Sequence, residues 1–183
     1  TIPLQLGGDN SEDNLKIVTE QQWKSYTPVE NYLGEKLIDG VINEEKAYWL
    51  GFIESDGNVH KNTLSFGLQE SDKNQLEKLK IFIESPQHHI SQKKSDLSFS
   101  IGITSEHIVK KLLEFGIVPR KSLILKIKKG LWKNKHFWRG MIDGDGTMGM
   151  YGKYQYPVIG LAGSKEIIKQ FSQFVKEKLK IIP

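Results

Sequence analysis

The clearest alternation of apolar and polar positions runs over residues 63–69, with Leu64, Phe66 and Leu68 on one face and Thr63, Ser65, Gly67 and Gln69 on the other. That is the two-residue period of a half-buried strand. Residues 97–104 repeat it, with Phe99, Ile101 and Ile103 inward and Ser98, Ser100 and Gly102 outward, and residues 154–161 read as a further strand. Elsewhere the period lengthens. Leu76, Leu79 and Ile83 recur at helical spacing after Ser71, which can serve as N-cap, and the pattern ends before Pro86. Ser105 opens a second helix that Gly116 terminates, and residues 117–122 form a turn. Ser164 opens a third over 165–180, with Ile167, Ile168, Phe171, Phe174, Val175 and Leu179 as its apolar stripe. With strand material around 58–63 and 88–94, residues 44–127 read as α-β-β-α-β-β-α.

An internal repeat organises these elements. Tyr-Trp-Leu-Gly-Phe-Ile-Glu-Ser-Asp-Gly at 48–57 returns 89 residues later as Phe-Trp-Arg-Gly-Met-Ile-Asp-Gly-Asp-Gly at 137–146. In each copy two small residues stand four apart, Gly51 with Ser55 and Gly140 with Gly144, on one face of a helix. Glycine inside a helix costs roughly 1 kcal/mol relative to alanine, so the stripe needs a compensating close approach, here between the two motif helices. That packing brings Asp56 and Asp145 together at helix C-termini, where the dipole disfavours negative charge and two carboxylates repel. A divalent cation relieves the conflict, and the chemistry that follows is phosphodiester hydrolysis by metal-activated water.

Composition narrows the choice of cation and partner. There is no cysteine, so ligands are oxygen or nitrogen, which favours a hard ion such as Mg²⁺, with Mn²⁺ or Ca²⁺ as substitutes. The five histidines, His60, His88, His89, His107 and His136, are scattered, and no zinc motif is present. Lysine plus arginine number 26 against 22 acidic residues, a net charge of +4 that suits a polyanion. No membrane-length apolar run and no signal segment is seen, so the expectation is an intracellular protein of open compartment.

Residues 49–57 and 138–146 resemble the two motifs of LAGLIDADG homing endonucleases. The resemblance implies an α+β fold of two αββαββα half-domains whose antiparallel sheets form a saddle over double-stranded DNA with a long recognition site. It implies that Asp56 and Asp145 bind catalytic Mg²⁺, helped by the main-chain carbonyls of Ser55 and Gly144. It also implies a basic residue near the scissile phosphate, at Lys121, and a polar residue close to the metal at the end of the first long strand, at Gln69. Arg120 would contact phosphate. The outward faces offer Asn62, Thr63, Ser65, Ser98 and Ser100 in the first half and Lys153, Tyr154 and Tyr156 in the second as candidate DNA contacts. Glu54 and Asp143 are expected to be structural, and Trp49 and Trp138 to be core at the half-domain junction.

The expected organisation is an extension at 1–43, a first half-domain at 44–127, a basic linker at 128–135 and an incomplete second half-domain at 136–183. The second half offers one strand region and one helix after its motif, so the chain is a fragment, a truncated reading frame or half of an assembly completed by another chain. Residues 2–15 resemble the middle of an HNH nuclease motif around Asn14, without its flanking histidines. The leading function is a site-specific, intron-encoded DNA endonuclease. The alternatives are an intron RNA maturase, whose splicing help should survive loss of both aspartates, and a DNA-binding regulator on the same scaffold, whose affinity should ignore divalent metal.

Overall fold

A computed structural model of the protein describes residues 4–6, 15–17, 42–85, 88–93, 97–117, 127–128 and 130–180. Two compact units divide the chain, Thr1–Asn31 and Tyr32–Pro183. In the first, strand β1 (Leu4–Leu6) pairs antiparallel with β2 (Leu15–Ile17). Residues 7–14, the centre of the HNH-like segment, lie outside the described residues.

The second unit mixes helices with antiparallel sheet. Asn43 caps α1 (Glu44–Asp56) through its side chain, which accepts from the Lys46 amide at 2.8 Å. The chain passes directly into β3 (Asn58–His60) and β4 (Thr63–Leu68). Helix α2 (Lys73–Phe82), β5 (Ser91–Gln92), β6 (Phe99–Thr104) and α3 (Glu106–Phe115) complete the first half in the α-β-β-α-β-β-α order expected. The strands lie in the order β3-β4-β6-β5, all antiparallel, with Phe66 opposite Ile101 and Ser65 opposite Gly102. Val59, Leu64, Phe66, Leu68, Phe99, Ile101 and Ile103 are buried, so the alternation does place one face in the core.

Two boundaries of the first half differ from the sequence reading. Ser71 does not cap α2: it lies within a 3₁₀ turn, Glu70–Asp72, closed by the Asp72 amide on the Gln69 carbonyl at 3.0 Å, and α2 begins after it without a side-chain cap. The strand expected from 97 begins at Phe99, because Leu97 sits in the left-handed region at φ 54°. Ser105 and Gly116 behave as expected, the serine accepting from the Ile108 amide and the glycine ending α3 at φ 93°.

Helix α4 (Lys135–Asp145) opens the second half, capped by Asn134, and runs without a break into β7 (Gly146–Tyr151). β7 was not foreseen. It pairs with β8 (Tyr156–Leu161), which starts two residues later than expected because Gly152 (φ 74°) and Gln155 (φ 51°) form the turn between them. Ser164 caps α5 (Lys165–Leu179) by accepting from the Ile167 amide. Ile167 and Phe174 are buried and Phe171 and Val175 pack beside them; the Leu179 side chain lies outside the described residues. The connection between halves is anchored. Leu131, in a short 3₁₀ turn (Leu131–Lys133), and Ile127 are buried, and the Gln170 side chain bonds both the amide (3.1 Å) and the carbonyl (2.8 Å) of Ile127.

Candidate metal and nucleic-acid site

The site begins with the contact between α1 and α4. A methyl group on Gly51 would overlap the carbonyl oxygen of Phe137, and one on Gly140 would overlap the carbonyl oxygen of Tyr48. These contacts are reciprocal, since Phe137 stands to Gly140 as Tyr48 stands to Gly51 in the repeat. Reciprocity of this kind is what a local two-fold axis between the copies requires. The glycines are therefore needed for backbone approach.

Farther along the pair, a methyl at Gly144 would overlap Ser55 Oγ and come within 2.7 Å of Asp56 Oδ2. The Asp56 carboxylate thus rests against the residue that precedes Asp145. Both aspartates are the last residues of their helices, Asp56 half-buried and Asp145 exposed. Neither helix carries a basic residue in its last turn, so the dipole acts on acids without a nearby lysine or arginine of that turn to offset it. The glycines that follow, Gly57 and Gly146, are extended rather than left-handed, and a side chain on either would crowd the Ile53 or Ile142 carbonyl. Helix, acid and strand succeed one another in each half without an intervening turn.

Two depressions meet at Asp56. A cleft of about 590 Å³ is lined by Asp56, Gln69, Asp72, Gln75, Asp143 and Gly144, among others. A groove of about 360 Å³ runs from Asp56 over the outer face of the sheet along Asn58, Ser65, Gly67, Lys93, Ser100 and Gly102. Of the expected residues, Asp56, Gly144 and Gln69 line the cleft, and Ser65 and Ser100 line the groove. Thr63 spends its hydroxyl on Thr104 across the strands at 3.0 Å, and Ser65 is linked to Asn58 in both directions. Asn62 is exposed in the β3–β4 turn, and Ser98 accepts the Lys93 amide through its carbonyl. Lys153 and Tyr154 lie in the β7–β8 turn and Tyr156 opens β8; the two tyrosine rings lie 5.9 Å apart on the surface. Lys121 and Arg120 lie outside the described residues.

Sequence reasoning missed Tyr48, Asp72, Gln75, Asn58 and Lys93. Asn58 was readable, because it stands opposite Ser65 and shares its face. Tyr48 was not, because its role needs the helix pair: its hydroxyl accepts from Gln75 Nε2 at 2.7 Å and bonds the Asp143 carboxylate of the other half. Burial, then the hydrogen bond to Asp143 and that residue's charge, raise its pKa from 10.0 to about 12, so it stays a neutral donor. Arg139 lies over its ring at 4.7 Å. The tryptophans correct the junction assignment. Trp49 stacks on Phe82 of α2, and Trp138 packs at a tilt against Phe171 and Phe174 of α5, each inside its own half. Two residues before the motif glycine, each indole points about 200° away from the helix contact.

A metal here would rest on few protein ligands. Among the described residues no group of three or more histidines and acids is arranged to hold an ion. The donors expected from the sequence are the carboxylates of Asp56 and Asp145, the latter lining neither depression, and the carbonyls of Ser55 and Gly144 in helix last turns that lack intrahelical donors. That fits Mg²⁺, which keeps waters and takes substrate phosphate oxygens alongside one or two carboxylates. No described helix is long and apolar enough to cross a membrane.

No protein-family model and no curated protein matches the chain. Among solved structures it is similar to the N-terminal LAGLIDADG domain of DUF199/WhiA, at 15% identity and a TM-score of 0.47, over 85% of this chain and 78% of that one. It is similar to the I-LtrWI LAGLIDADG homing endonuclease bound to target DNA, at 14% identity and a TM-score of 0.46, over 76% and 74% of the two chains. The meganuclease I-SmaMI bound to uncleavable DNA is similar at 14% identity and a TM-score of 0.46, over 76% and 72%.

Proposed function

We propose that the protein is a metal-dependent, site-specific double-strand DNA endonuclease of the homing type, acting inside the cell on a long recognition site. The observation that carries this reading is the backbone-to-backbone contact of α1 and α4, which seats the Asp56 carboxylate against Gly144 beside Asp145, at the head of a polar groove. Asp56 and Asp145 would hold Mg²⁺ with the Ser55 and Gly144 carbonyls. When bound, the metal neutralises charge that builds on the phosphate and makes water acidic enough to attack near neutral pH. Gln69, on the cleft wall, can orient that water or a phosphate oxygen by hydrogen bonding. Asn58, Ser65 and Ser100 face the groove with groups able to meet base edges, and Lys93 supplies a cation for the backbone. Tyr48 and Gln75 tie Asp143 and α2 to the helix pair and so fix the cleft's shape.

The test is digestion of a library of long duplexes with Mg²⁺ or Mn²⁺, comparing the native chain with Asp56→Asn and Asp145→Asn. Sequence-specific cutting by the native chain is expected, with loss of at least about a hundredfold in either variant and DNA binding retained. Tight binding without scission in both metals overturns the endonuclease and leaves a DNA-binding protein on the same scaffold.

A further inference from the structure

The second hairpin reaches farther than the first. β3 and β4 pair from Asn58–Ser65 to His60–Thr63, whereas β7 and β8 pair from Gly146–Leu161 out to Tyr151–Tyr156. The repeat makes Gly149–Val158 the counterpart of His60–Thr63, so Tyr151 and Tyr156 stand two residue pairs, about 7 Å, beyond the point where the first hairpin turns. In the first half the neighbouring strand β6 ends level with Thr63, at Thr104. The tyrosine tip therefore projects past the end of a sheet built on that plan. Its turn is pinned by Gln155, whose amide and side chain both donate to the Gly152 carbonyl, at 3.1 and 3.2 Å.

The chemistry of the outward face changes with it. Asn58, His60, Thr63 and Ser65 have Thr147, Gly149, Val158 and Gly160 as counterparts, so one threonine hydroxyl is left where the first half offers four groups able to meet base edges. Ring surface takes their place. Tyr151, Tyr154 and Tyr156 are 59%, 72% and 61% exposed. Tyr151 lies back along its strand, where a methyl at Gly149 would come within 2.8 Å of the ring, and the Tyr154 and Tyr156 rings stand 5.9 Å apart at 60°. Residues 146–161 carry one charge, Lys153, and no acid to repel a phosphate.

We infer that this tip binds an unpaired DNA strand, with bases stacked on the tyrosine rings and Lys153 on the phosphates. A base within a duplex has both faces covered by its neighbours, so exposed rings find partners where bases are unpaired. The outward face runs back along β7 to Asp145, which makes the strand part of the nucleic acid that meets the aspartates. Taking that strand as DNA rests on the endonuclease reading; the contact between ring and base does not.

The test is fluorescence anisotropy of a labelled oligo(dT) of about 15 nucleotides with the intact chain, without divalent metal. This strand holds no recognition site and nothing is cut, so failure here is separate from failure of cleavage. Tyr154→Ser and Tyr156→Ser are each expected to weaken binding at least about fivefold, while Tyr154→Phe and Tyr156→Phe, which keep the ring and lose the hydroxyl, stay close to native. Lys153→Ala should reduce the log–log salt slope by about 0.7. All three side chains are exposed, so circular dichroism should not change. No binding of oligo(dT), equal losses in the serine and phenylalanine variants, no loss in either serine variant, or tighter binding of oligo(rU) than of oligo(dT) overturns the inference.

Discussion

Gly51 and Gly140 govern how near the two halves come, because each faces a carbonyl oxygen with no side chain between. Alanine at either position favours an isolated helix by roughly 1 kcal/mol, yet here it forces two backbones apart. Gly51→Ala and Gly140→Ala are each expected to lower unfolding free energy by about 1–3 kcal/mol in urea titration. A variant as stable as the native chain would show that the helices are not in this contact. Tyr48→Phe removes a hydroxyl bonded to Gln75 and Asp143 without changing the buried ring. Its expected effect is about 1 kcal/mol of stability, together with a looser cleft read as a higher metal requirement for cutting.

Helix existence was legible because the stripes at Leu76, Leu79 and Ile83 and at Ile167, Phe171 and Phe174 obey a single period. β7 was not, since Gly146 and Gly149 interrupt its alternation and its apolar residues are exposed. The cleft was legible in Asp56 and Gln69 but not in Gln75 or Asp72, which reach it only once the 3₁₀ turn has set the direction of α2. The tryptophans were read correctly as core and assigned to the wrong contact, because the motif gave their burial without its direction. Trp138→Ala should therefore loosen α5 from the second half, costing about 3–5 kcal/mol, with the α2 packing of Trp49 unaffected. Beyond α2, His88 bonds Ser85, and burial, then Lys80, lowers its pKa below 6.5. The unfolded chain binds that proton more readily, so stability contributed above pH 6.5 is lost as pH falls through the lower folded value. His88→Asn should flatten the pH dependence of melting over that window.

On the scale of the whole molecule, the groove from Asp56 across the sheet predicts how binding should respond to salt and sequence. Affinity for duplex DNA should fall linearly in log–log plots against salt, and Lys93→Ala should reduce the slope by about 1 while lowering affinity for all sequences alike. Asn58→Ala and Ser100→Ala should instead relax preference at particular base pairs with the slope unchanged. A uniform loss from all three would mean that the sheet meets backbone alone.

Where α1 touches α4, main chain lies on main chain, and no rotamer exists there to take up slack. Warming cannot loosen the helix ends that carry Asp56 and Asp145 gradually while the rest stays intact. Loss of cutting and loss of helical signal should consequently fall at one temperature, without an intact but inactive interval below it.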